Sequence, residues 1–83
     1  MAMSKKVLII DDNLAFAKLV EQVLTGKGYE VLKASNGQEG LRVMFDHRPD
    51  LVLLDVVMPG FDGWQTCSRI REISDVPIIM ITG

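Results

Sequence analysis

Three aspartates stand where they could do chemistry. Asp11 and Asp12 follow the apolar run Val7-Leu8-Ile9-Ile10, and Asp55 follows Leu51-Val52-Leu53-Leu54. A short run that is apolar on both alternating faces reads as a strand covered by helices on both sides, the usual setting of a parallel sheet. In open α/β sheets ligands bind beyond the carboxyl ends of the strands. Two such strands side by side bring three carboxylates into one crevice, where their repulsion raises the cost of ionising all of them and a bound cation relieves it. Mg2+ suits this set, because it takes oxygen ligands, keeps several waters and combines few carboxylates with a phosphate. A carboxylate is also a nucleophile toward phosphorus and gives an acyl phosphate once charge on the transferred group is neutralised. Asp55 is therefore the candidate phosphoryl acceptor, with Asp11 and Asp12 helping to hold a cation beside it. Thr82 ends a later apolar run, Pro77-Ile78-Ile79-Met80-Ile81, on the same edge, so its hydroxyl could donate to a phosphoryl oxygen.

The elements that must position these groups alternate along the chain. After the strand Val7 to Ile10, Asn13 is a plausible helix cap, and Phe16, Val20, Val23 and Leu24 recur at helical spacing. Gly26 and Gly28 supply stop signals. Tyr29 to Ala34 only partly alternates, as expected of a strand at the sheet's margin, and Ser35-Asn36-Gly37 makes a turn. A second helix is expected from Gln38 to about His47, with a stripe of Leu41, Met44 and Phe45, despite a cost of about 1 kcal/mol for Gly40. Pro49 closes it before the strand that ends in Asp55. Met58-Pro59-Gly60-Phe61-Asp62-Gly63 has the composition of a structured loop. A third helix runs from about Trp64 to Ile73, with Cys67, Ile70 and Ile73 facing one way, and the strand Pro77 to Ile81 follows. Strict alternation implies right-handed crossovers and a parallel sheet.

The totals set limits. A chain of 83 residues suits one small domain, which removes only roughly 60 to 65% of its unfolded surface from water, so stability is marginal. With 48% hydrophobic and 24% charged residues it has ordinary globular composition, and a net charge of -2 gives no basic footprint for nucleic acid. The single Cys67 cannot form an internal disulfide, no Cys and His spacing suggests zinc, and a reduced, cytoplasmic setting fits. Lys5-Lys6 before four apolar residues is too short for a signal peptide, and no segment approaches the ~18 apolar residues of a membrane span. Met1-Ala2 ahead of Met3-Ser4 reads as a cloning remnant.

Taken together, Asp11-Asp12 after an apolar strand, Asp55 followed by Val56-Val57-Met58-Pro59-Gly60, and Pro77 to Gly83 resemble the receiver domain of two-component response regulators. The resemblance covers Lys6 to Gly83, with residues 1–5 as a tail. It implies a flavodoxin-like α/β fold with strand order 2-1-3-4, numbered along the chain, and a phosphoryl group accepted by Asp55 from the phosphohistidine of a sensor histidine kinase or phosphotransfer protein. It also implies that Asp12, Asp55 and the backbone carbonyl of Val57 bind Mg2+ directly, that Asp11 acts mainly through water, and that Thr82 is the switch hydroxyl. A complete receiver continues through a fourth helix, a fifth strand carrying a lysine, a fifth helix and an aromatic switch residue. This sequence departs from that pattern by stopping at Gly83, and Lys5 and Lys6 lie at the wrong end of the first strand to replace the lysine. The expectation is an incomplete sheet with impaired transfer and signalling, whose fourth strand pairs with a second copy or exchanges elements with it.

Two other functions fit parts of the pattern. A phosphatase of the haloacid dehalogenase type also places an aspartyl nucleophile after a first strand, but it needs a second aspartate two positions on, where this chain has Asn13. A receiver fragment that no longer signals and acts as an interaction or oligomerisation module is the other. A lone aspartate at a strand end is ordinarily a turn former. His47 reads as a solvent-facing residue near a helix end, Cys67 as a small packing residue, and Met44, Met58 and Met80 as filler of core or loop. Trp64 is a residue whose exposure fluorescence would report.

Overall fold

The computed structural model describes residues 4–58 and 62–81. Within them lie β1 (Lys6–Ile10), α1 (Leu14–Gly26), β2 (Glu30–Ala34), α2 (Gly37–His47), β3 (Leu51–Asp55), α3 (Gly63–Ile73) and β4 (Ile78–Ile81). The sheet is wholly parallel, in the order β2-β1-β3-β4. Alternation of strand and helix thus gives the expected α/β, flavodoxin-like architecture. The expected margin strand, β2, lies at one edge. Its register on β1 pairs Ile10 with Ala34, while Ile10 on the other side faces Leu54.

Apolar residues at alternating positions on each strand divide between two faces. Leu8, Ile10, Val52 and Leu54 join Met44, Met58, Ile70 and Val76 in one continuous core beneath α2 and α3, with Cys67 and Met80 packed against it. The opposite face carries α1, which lies over β2 and is tied to it by an ion pair of 2.8 Å between Glu21 and Lys33. Burial on both faces was expected of the strand ending in Asp55, yet it is β1 that is sealed throughout, its residues Val7 to Ile10 all at most 1% exposed. On β3, Leu51 and Leu53 remain half-exposed, because α1, on their face of the sheet, lies over β2 rather than β3.

The helices bury narrower stripes than their sequences suggest. On α1, Ala17 is buried and Val20 and Leu24 half-buried, whereas Val23 is 54% exposed, since at 3.6 residues per turn it falls about 120° from Ala17. On α2, Gly37, Gly40 and Met44 face the sheet and Phe45 is turned to solvent. On α3 the buried line is Gly63, Thr66 and Ile70, and Ile73 lies outside it. The ends of the helices are set by side chains that take up the first-turn amides, an effect worth about 1 kcal/mol each. Asn13 accepts from the Phe16 N–H, as expected, and Asn36 and Asp62 do the same for α2 and α3. α1 runs through Gly26, and the positive φ of 93° falls on Gly28. Arg48, with φ 47°, closes α2 just before the buried Pro49.

Candidate phosphoryl-acceptor site

Parallel strands carry their polar last residues to a common edge, and β1 and β3 are neighbours. The consequence is that one carboxylate oxygen from each of Asp11, Asp12 and Asp55 lies within 4.8 Å of the others. The backbone ladder continues past both strands to hold this edge. Asp11 N–H donates to the Ala34 carbonyl and Val56 N–H to the Ile81 carbonyl, each at 3.0 Å. Both carboxylates then fold back on the turn that follows them. Asn13 N–H donates to Asp11 Oδ1 at 2.8 Å, and Val57 N–H donates to Asp55 Oδ1 at 3.1 Å.

Their surroundings differ. Asp11 is 4% exposed, Asp55 half-buried and Asp12 exposed. Burial pushes the Asp11 carboxyl above the ordinary carboxylate value, the Asn13 N–H pulls it back in part, and the adjacent Asp55 and Asp12 push it up further. A bound cation would offset the cost of ionising a carboxyl so placed. The donor set consists of hard oxygens on one rim of the sheet, which fits Mg2+ and gives no thiolate or imidazole that would favour zinc. A recess between this cluster and α1 is lined by Asp11, Asn13, Phe16, Asp55 and Ile81.

Of the other residues singled out from the sequence, Val57 is described and 73% exposed, while Thr82 lies outside the described residues. His47 is exposed in the last turn of α2, at the opposite end of the sheet, where its carbonyl accepts from Lys6 Nζ at 3.4 Å. Trp64 is 63% exposed in the first turn of α3. Three residues next to the site had no reading of their own. Asp62 and Gln65 form a reciprocal cap, each backbone N–H donating to the other's side chain, at 3.0 and 2.9 Å. Thr66 is fully buried, its hydroxyl donating to the Asp62 carbonyl at 2.9 Å. The signal available was Asp62 followed three residues later by glutamine, the pattern of a capping box.

Comparison with known proteins agrees with this geometry. The family described as Response regulator receiver domain matches residues 7–83. A probable transcriptional regulator, ycf27, of Pyropia yezoensis is 49% identical over 78 residues, which is 94% of this chain and 32% of that protein. The transcriptional regulatory protein AfsQ1 of Streptomyces coelicolor is 42% identical over 76 residues, covering 92% of this chain and 34% of that one. The chain thus spans about a third of the length of these relatives. Among solved structures, a CheY-like receiver domain protein from Methanospirillum hungatei superposes with a TM-score of 0.94 at 30% identity, over 98% of this chain and 66% of that one. The chemotaxis protein CheY4 of Vibrio cholerae gives 0.90 at 33% identity, over 94% and 68%. With the family matched across nearly its whole length and the same fold found in solved receivers, this chain belongs to the response regulator receiver domains of two-component systems.

Proposed function

We propose that Asp55 accepts a phosphoryl group from the phosphohistidine of a sensor histidine kinase or phosphotransfer protein in the cytoplasm. The observation that carries this reading is the convergence of Asp11, Asp12 and Asp55 within 4.8 Å at the ends of two adjacent parallel strands. A carboxylate oxygen of Asp55 forms the new bond to phosphorus as the phosphorus–nitrogen bond of the donor breaks, leaving an acyl phosphate and a free imidazole. The hydrogen bond from Val57 N–H fixes the carboxylate's orientation for that attack. Asp12, Asp55 and the Val57 carbonyl would hold Mg2+ directly, and Asp11 through water. When bound, the cation offsets negative charge on the transferred oxygens. Thr82 supplies the switch hydroxyl in this reading.

The relatives are named as transcriptional regulators. In a longer protein of that kind this segment is the input that is phosphorylated, and its net charge of -2 suits it poorly to contacting DNA. Incubation with Mg2+ and a small phosphodonor, followed by mass spectrometry, is expected to show one added phosphoryl group located on Asp55. Modification elsewhere, or none, refutes the assignment, and rapid turnover of a phosphate ester would favour a hydrolase of the haloacid dehalogenase type.

A second reading, as a self-associating module, rests on β4. Its residues Ile78-Ile79-Met80-Ile81 carry no charge, Ile79 is 52% exposed, and among the described residues the strand has no partner on its outer side. An apolar edge of this kind is a template for another chain, here a second copy.

A further inference from the structure

Gly63 ends a stretch that reads from sequence as a glycine-rich loop, and its backbone angle is not in the left-handed region that would demand glycine. What demands it is space. Gly63 opens α3, and its N–H donates to the Val56 carbonyl at 3.0 Å. A Cβ built there would collide with Asp55 O, and would stand 2.5 Å from Val56 Cα and 3.0 Å from the Asp55 carbonyl carbon. All three are backbone atoms of the acceptor segment, so no side-chain rotation can make room. Gly40 also packs closely, but against the flexible side chain of Ile10, and Gly26 has nothing within 4 Å.

The helix end that rests on this peptide is itself held by side-chain hydrogen bonds. Asp62 and Gln65 cap each other, and the buried Thr66 ties the next turn to the Asp62 carbonyl. We infer that Gly63 is a positioning residue for phosphoryl acceptance: by lacking a side chain it lets α3 sit directly on the Asp55–Val56 peptide and so sets where the Asp55 carboxylate stands relative to Asp11 and Asp12. The inference rests on Asp55 being the acceptor. Ordinary contact begins near 3.4 Å, so a methyl group at this position forces a separation of about 1 Å between helix and strand end. Three carboxylates grouped within 4.8 Å do not keep their arrangement through a shift of that size.

The test compares Gly63→Ala with two controls in the whole chain. Gly26→Ala makes the same chemical change in open space, and Ile70→Val trims a fully buried residue of α3 away from the strand end. Thermal unfolding, Mg2+ affinity by calorimetric titration and phosphorylation by acetyl phosphate are measured at a temperature where each variant is folded. Gly63→Ala is expected to weaken Mg2+ binding about tenfold and to slow phosphorylation about a hundredfold, with the slowing retained at saturating Mg2+. Ile70→Val is expected to lower the unfolding midpoint while leaving both untouched. Loss of stability in Gly63→Ala with unchanged affinity and rate overturns the inference. If that variant does not fold, Asp62→Ala loosens the same turn without a clash, and an unchanged rate there overturns it equally. Wild-type protein that takes no phosphoryl group refutes the acceptor reading instead. The positioning is then judged from the amide chemical shifts of Val56 and Val57, which Gly63→Ala must move and Ile70→Val must not.

Discussion

The ends of β1 and β3 use the same device to different effect. In each an aspartate closes an apolar strand and accepts a hydrogen bond from the N–H two residues on, Asn13 for Asp11 and Val57 for Asp55. Each of the two strands lies between two others, yet β1 is covered on both faces, so Asp11 is buried, while among the described residues β3 is open on the face away from α2 and α3, so Asp55 is reachable. Identical local geometry thus yields one carboxylate that is held and one that is presented. The cover over the strand, rather than the turn after it, assigns the difference.

The sharpest way to break this comparison is to neutralise each end in turn. Asp55→Asn is expected to abolish acceptance of a phosphoryl group, while Asp11→Asn, whose amide oxygen can still accept from Asn13, is expected to leave slow but measurable modification at Asp55. Mass spectrometry after incubation with acetyl phosphate and Mg2+ reads both. Equal modification of wild type and Asp55→Asn would falsify the distinction between presented and held carboxylates.

A second contrast lies within the β1 end, between buried Asp11 and exposed Asp12. If Asp12 binds Mg2+ directly and Asp11 through water, Asp12→Ala is expected to weaken binding about a hundredfold and Asp11→Ala about tenfold. Titration followed by the fluorescence of the exposed Trp64 measures the order, and a reversed order exchanges the two roles.

How much of this was legible before the structure depends on what each feature is made of. The carboxylates and the parallel strands followed from runs of apolar residues ending in acid, a local signal carried by consecutive positions, whereas the strand order came from the resemblance to receivers. The loss of Val23, Phe45 and Ile73 from the buried stripes could not be read, because hydrophobicity does not say how wide a face a short sheet can cover. Thr66 gives no signal in the sequence, because its burial goes with a hydrogen bond to Asp62 and polar residues carry no periodic pattern. Gly63 reads from composition as part of a loop, whereas its place is fixed by the approach of two backbones. The margin position of β2 and the cap at Asn13 were legible because each has a local cause.

The openness that frees Asp55 extends along β3 to β4, where Leu53 pairs with Ile79 and both stay uncovered in part. This chain is expected to form a dimer at raised concentration through that edge, and Ile79→Lys to weaken it about tenfold, by adding a charge where strands would pair. Sedimentation across a wide concentration range tests the idea. A compact monomer at every concentration would show that the open side serves access to the site and nothing else.

The smallest effect concerns what it costs to hold Asp11. Its folded-state pKa lies above the ordinary value of 3.8, first because of burial, with Asp55 and Asp12 adding to it against the pull of the Asn13 N–H. In the unfolded chain the group is solvated and ordinary. A raised carboxyl means that the folded state binds the proton more tightly, so this contribution to stability is fully present below the unfolded pKa and is lost as pH rises through the folded one. At neutral pH the metal-free protein therefore carries a buried, repelled charge. Asp11→Asn removes that charge and preserves an acceptor for Asn13. It is expected to raise the unfolding midpoint by a few degrees at about pH 7 without Mg2+, where 1 kcal/mol corresponds to about 4–8 °C for a chain of this size. The gain is expected to vanish at about pH 3, where Asp11 is protonated in both states. A variant no more stable than wild type at neutral pH, or a gain that persists undiminished in acid, would mean that the closed end of β1 holds its carboxylate without cost, and the contrast with β3 would then be one of access alone.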